Sequence, residues 1–224
     1  MVLSFFRRGE SGMEQITQRV VDMLHDARHS FDLATSALVD GVPAGDVADD
    51  LHATDERINR AEQELRRELI VHVAVHGGDD IGDVLGYTLL IKKIERIGDQ
   101  AKNIWDMAGE GVSFAEADDR EEYASGLRAI SEMVDEVAEL IVDPDPDRIA
   151  AFRARADAMR VAEEARIREF MHSDEPGHWA VPRAVLHRYL KRVVANLGGV
   201  VTTLTEPVQT QDYFDEGRTD IDDD

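Results

Sequence analysis

Two acidic pairs stand out by their spacing. Glu95 and Asp99 are four residues apart, and Asp55 and Glu62 are seven apart. On a helix such positions share one face. Like charges so placed repel by a few tenths of a kcal/mol unless a cation compensates. A divalent metal ion would suit carboxylate oxygens. Lys92, Arg96 and Lys102 lie within a turn of the first pair and could neutralise it by ordinary ion pairing, worth roughly 0.3–0.5 kcal/mol per exposed pair. Both readings stay open on spacing alone. Gly98, between the two acids, leaves room for another backbone or an ion to approach. Two histidine pairs, His25 with His29 and His72 with His76, also have the i, i+4 spacing of a chelating face. Neither has the His-Glu-x-x-His form, and interhelical or surface roles suit them better. His52, His172, His178 and His187 carry no such signal.

The elements that must hold these residues are helices. Apolar residues recur at spacings of three and four along nearly the whole chain. Ile16, Val20, Met23, Ala27, Phe31 and Ala34 form one stripe, ended by Gly41, Pro43 and Gly45. Val47, Leu51, Ile58, Leu65 and Leu69 form a second, ended by Gly77 and Gly78, with Asp79 and Asp80 offering caps for the next helix. Val84, Tyr87, Leu90, Ile94, Ile97, Ala101 and Ile104 form a third. Leu127, Ile130, Val134, Val137 and Ile141 mark a fourth, which stops at Asp143-Pro144-Asp145-Pro146; Asp147 then reads as the next helix cap. A fifth carries Ile149, Phe152, Ala156, Met159 and Phe170. A sixth is expected to begin near Pro182 and carries Val185, Tyr189, Val193, Leu197, Val200 and Leu204. Gly198-Gly199 inside it costs helix stability and points to close helix packing.

Six long helices with short breaks predict an all-α protein with up-down antiparallel packing. The break between Gly109 and Asp119 separates two halves of three helices, a sign of internal duplication. The expected units are residues 1–110, residues 118–207, and a disordered acidic tail over 208–224.

The third helix contains Glu95-Arg96-Ile97-Gly98-Asp99-Gln100-Ala101-Lys102-Asn103-Ile104. This segment resembles the signature of the PhoU family, with Gln100 where many members have His and Lys102 at the variable place. Asp55-x-x-Ile58-Asn59-x-x-Glu62 resembles the family's second acidic pattern. In the second half, Tyr189 to Leu197 sits where the signature should recur, but Lys191 takes the Glu position and Ala195 the Asp position. The resemblance implies two antiparallel three-helix bundles side by side. It implies a non-enzymatic regulator of phosphate uptake or phosphate signalling that docks on phosphate transporter or sensor kinase components. It also implies a metal site, divalent or trivalent (iron, zinc, nickel or magnesium), at Glu95 and Asp99, with Asp55 and Glu62 as further ligands or neighbours. Degradation of the second motif argues against a matching second cluster.

Bulk properties narrow the alternatives. The net charge of −22 is opposite to the basic face that nucleic-acid binding needs. There is no cysteine, which removes disulfides, thiolate sites and cysteine nucleophiles and fits a cytoplasmic setting. Such acidity would suit a salt-rich cytoplasm; a halophilic source is the corresponding hypothesis, and a non-halophilic one would remove it. No apolar run reaches membrane-spanning length. The N-terminal cluster Val2, Leu3, Phe5 and Phe6, followed by Arg7 and Arg8, lacks the charge order of a signal peptide and reads as a short arm, with packing on the bundle, disorder and peripheral membrane contact as its alternatives. Homo-oligomerisation stays open. A ligand-free helical adaptor module and a helical-bundle metalloenzyme are the rival functions. The latter needs Glu-x-x-His pairs from facing helices, whereas Glu68 precedes His72 by four.

Overall fold

The protein is described here by a computed structural model over residues 11–77 and 81–210. Six long helices account for most of it: α1 (Ser11–Val39), α2 (Ala44–His76), α3 (Ile81–Gly109), α4 (Arg120–Val142), α5 (Pro146–Met171) and α6 (Gly177–Thr205). No strand occurs among the described residues, as the period-3.6 patterning predicts. The N-terminal arm, the capping residues Asp79 and Asp80, and the tail beyond residue 210 lie outside the described residues.

Each helix buries most of the stripe read from the sequence; Met159, Val185 and Tyr189 are only half-buried, and Leu186 and Leu190 take the core positions early in α6. In α1, Val20, Leu24, Ala27, Phe31, Ala34 and Leu38 are fully buried. In α3, Ile91, Ile94, Ile97, Ala101 and Ile104 are equally so. Helices α1, α2 and α3 pack on one another as the first bundle. In the second half α6 runs closely along α5 and also touches α4. Side-chain ion pairs complete the α4–α5 contact: Arg148 with Glu139 at 2.6 Å, Arg166 with Glu122 at 3.2 Å, and Arg155 with Glu136. The halves join along α1–α4 and α3–α6. One continuous apolar core therefore runs from Ile16 on α1 to Leu204 on α6.

The turns follow local chemistry. Gly41 has φ +74°, and the Val42 amide donates back to Ser36 O at 3.3 Å, which closes the end of α1. Gly111, at φ +88°, does the same for α3, with the Val112 amide donating to Met107 O at 3.0 Å. The loop between the halves is pinned where the Phe114 amide donates to Leu38 O at 2.8 Å.

Three local expectations need correction. The cap of α5 is Asp145, whose carboxylate accepts from the Arg148 amide at 2.8 Å, not Asp147. Pro146 then occupies the first helical position, where its missing N–H costs nothing. Helix α6 starts at Gly177, and Pro182 lies inside it. A proline so near the start removes a single backbone bond, which the packed helix tolerates. Finally, Val208–Thr210 form a 3-10 turn against α3 rather than the start of a loose tail.

Candidate functional site

The four acidic residues singled out by spacing do meet, on the face where α2 crosses α3. Glu62 and Glu95 are buried, at 8% exposure each. Asp55 is half-buried and Asp99 is exposed. The register is set by the core beneath them. Ile58, fully buried, points from α2 at Gly98, and a Cβ added there would stand 3.0 Å from the Ile58 Cδ1. Gly98 thus admits a neighbouring side chain, Ile58, rather than a backbone or an ion.

Cations from the protein itself occupy this face. The Lys92 Nζ stands 2.6 Å from Glu95 Oε2 and 3.6 Å from Glu62 Oε1. Arg66 reaches the same Glu62 oxygen at 2.8 Å. The Lys102 Nζ donates to Asp55 Oδ2 at 3.0 Å, and Asn59 Nδ2 donates to that oxygen at 3.2 Å. Arg96 is exposed, with no ion pair among the described residues. The electrostatics follow. The Lys92 ammonium is held above its ordinary range, chiefly by Glu95, with Glu62 and Asp99 adding to it. The Asp99 carboxyl is pushed up by desolvation and then by Glu95, and Lys92 and Lys102 only partly offset this.

A metal ion would need several of these oxygens free and convergent. Among the described residues no group of three or more His, Asp or Glu side chains is arranged to hold one. Asp55, Glu62 and Glu95 each already face an ammonium or guanidinium group. As they stand, these residues do not fit a bound ion.

The histidine pairs separate. His25 is exposed, and His29 meets Asp50 across helices at 2.8 Å. His72 is buried; the side chain of His76 lies outside the described residues. His52 packs edge-on against Trp105, whose indole N–H donates to Ala44 O at 2.9 Å.

The second half contains a buried polar cluster that spacing does not reveal. His187 Nδ1 lies 2.5 Å from Glu163 Oε2, and its ring stacks on Phe170 and leans on Tyr123. Arg183, nearly buried, makes a two-pronged pair with Asp119 at 2.8 Å for both bonds, and its guanidinium lies 4.0 Å from the Trp179 ring centroid and 5.0 Å from that of Phe114. Arg183 holds the Asp119 carboxyl below its usual range, and burial pushes the Tyr123 hydroxyl up. These partners lie 24 and 64 residues apart in the chain, so no local pattern announces them.

A second signal was legible but needed the fold to be seen. Asp157 and Glu164, seven apart on α5, repeat the spacing of Asp55 and Glu62 on α2. Glu164 faces α6 and accepts from Lys191 Nζ at 2.7 Å. Lys191 holds the Glu164 carboxyl below its ordinary value. Asp157 turns to Arg160 instead, at 3.4 Å.

The family model that matches this chain is the PhoU domain, over residues 20–108, the stretch that contains all four acidic positions. Over that stretch the chain is similar to a PhoU domain. Its fold is also that of PhoU from Pseudomonas aeruginosa, with a TM-score of 0.73 at 18% identity, covering 87% of this chain and 95% of that one. The structural match extends through both halves, while the PhoU-domain match stays within α1 to α3. No curated protein gives a significant match.

Proposed function

We propose that the protein is a non-enzymatic regulator of phosphate uptake or phosphate signalling that works by docking on transporter or sensor kinase components at the cytoplasmic face. The PhoU-domain match over residues 20–108 carries this reading. The likeness of the whole fold to a PhoU protein supports it at the level of architecture. Two further features suit docking. No described helix is long and apolar enough to cross a membrane, so the protein would act from beside its partner. The end of the α2–α3 hairpin exposes Ile70, Val71, Val75, Ile81 and Leu85, an apolar surface of the kind that marks contact sites. The strong negative charge makes nucleic acid an unsuitable partner.

The test is phosphate uptake in the source organism after deletion of the chain. Uptake should stay high in phosphate-rich medium where the parent strain shuts it down, and re-expression should restore control. Uptake that responds normally to phosphate in the deletion strain would remove the reading.

A further inference from the structure

We infer that Lys92 and Lys102 are tethered cations that stand where the carboxylate face of α2 and α3 would otherwise take a metal ion, so that the charge of its buried acids is offset without metal. The inference holds whether or not the chain regulates phosphate uptake.

Three observations carry it. First, the geometry: Lys92 lies between the two buried carboxylates, at 2.6 Å from Glu95 and 3.6 Å from Glu62. Lys102 closes the other end on Asp55 at 3.0 Å. Buried carboxylates without a counter-charge are costly, and these have one supplied by the same chain.

Second, the choice of residue. Only four lysines occur among 25 basic residues, and three of them, Lys92, Lys102 and Lys191, pair with acids on these helix faces. The ion pairs elsewhere in the molecule are made mainly by arginine. Arginine is a planar fork, whereas an ammonium is a compact point charge on a flexible stem. Of the two, the ammonium is the closer substitute for a small ion between oxygens.

Third, the second half repeats the device. Lys191 replaces the acid of the motif outright and binds Glu164, the counterpart of Glu62, at 2.7 Å. In one half lysines stand beside the carboxylates, and in the other a lysine stands opposite one.

The experiment uses the full chain, purified without a histidine tag or added chelator, with manganese(II) as the probe. The wild-type melting temperature should shift with manganese no more than that of a Glu95→Gln variant, which controls for weak binding along the acidic surface. The Lys92→Ala/Lys102→Ala double variant should gain a saturable rise of roughly 5–10 °C at about 100 times its dissociation constant. That rise should vanish when Glu95→Gln is added. A double variant that folds only with manganese present would equally support the inference. If the double variant fails to fold at all, the single Lys102→Gln variant and the single Lys92→Gln variant carry the same reading. Two results would overturn it: a saturable manganese response in wild type that Glu95→Gln abolishes, or folded lysine variants as indifferent to manganese as wild type.

Discussion

The two helix-pair faces, α2 with α3 and α5 with α6, share an acidic spacing on their first helix and offset that charge in different ways. On the first, Asp55, Glu62, Glu95 and Asp99 are all kept, and Lys92, Lys102 and Arg66 gather around them. On the second, α6 carries Lys191 and Ala195 rather than an acidic pair, and Lys191 meets Glu164 directly. The second half also holds, at the end of the bundle, the Arg183–Asp119 pair, whose guanidinium is buried among aromatic side chains.

The comparison breaks most sharply at Arg183. Arg183→Ala leaves Asp119 uncompensated and empties the space between Phe114 and Trp179, and should cost about 3 kcal/mol in urea unfolding. Next comes Lys92→Ala, which strands two buried carboxylates with Arg66 as the remaining partner; about 2 kcal/mol is expected. A double-mutant cycle with Glu95→Gln should recover a large part of that loss, because the repelling charge is removed with its partner. A cycle without coupling would mean that Lys92 and Glu95 are independent. Lys191→Met on the second face should cost only about 1 kcal/mol, since Glu164 is a third exposed and solvent screens the pair.

The smallest effect has the opposite sign. Asp99 is exposed, gains no close counter-ion, and feels Glu95 one turn away. Its raised folded value means that protons bind the folded state more tightly, so stability falls as pH rises from the ordinary 3.8 through the raised value. Asp99→Asn should therefore stabilise at neutral pH, by a few tenths of a kcal/mol. Glu164 behaves in reverse. Its lowered value makes its pair with Lys191 stabilising above the ordinary 4.5 and loses that contribution as pH falls through the folded value. Lys191→Met should flatten this part of the acid limb, which a series of melting temperatures between about pH 2 and 5 will show.

Much of this fold was readable from the chain. Most of the stripes from Ile16 to Leu204 bury as their spacing requires, because a 3.6-residue period has one way to face a core; early in α6 the buried residues are Leu186 and Leu190, one step from Val185 and Tyr189. Boundaries were less legible where two solutions are chemically alike. Asp145 and Asp147 flank Pro146 symmetrically, and only the backbone decides which one caps α5. At the acidic face, spacing supplied the four acids and the lysines near one of the pairs, but not the register that turns Lys92 toward Glu62 and Lys102 toward Asp55 across helices. That register depends on Ile58 fitting over Gly98, a contact between residues 40 apart. The His187–Glu163 and Arg183–Asp119 pairs leave no periodic trace at all, since each joins separate helices or a helix and a loop.

With four lysines in the whole chain, each side-chain ε-carbon gives its own NMR signal in protein labelled with carbon-13 lysine. The most direct measurement is a manganese titration of those four signals, followed by a pH titration without metal. The Lys92 and Lys102 signals should stay as sharp as that of Lys191 at equimolar paramagnetic manganese, and Lys92 should titrate above its ordinary 10.5 and return toward it in Glu95→Gln. Selective broadening of Lys92 and Lys102 by manganese, with Lys92 titrating at its ordinary value, would contradict the tethered-cation face and restore a metal ion to it.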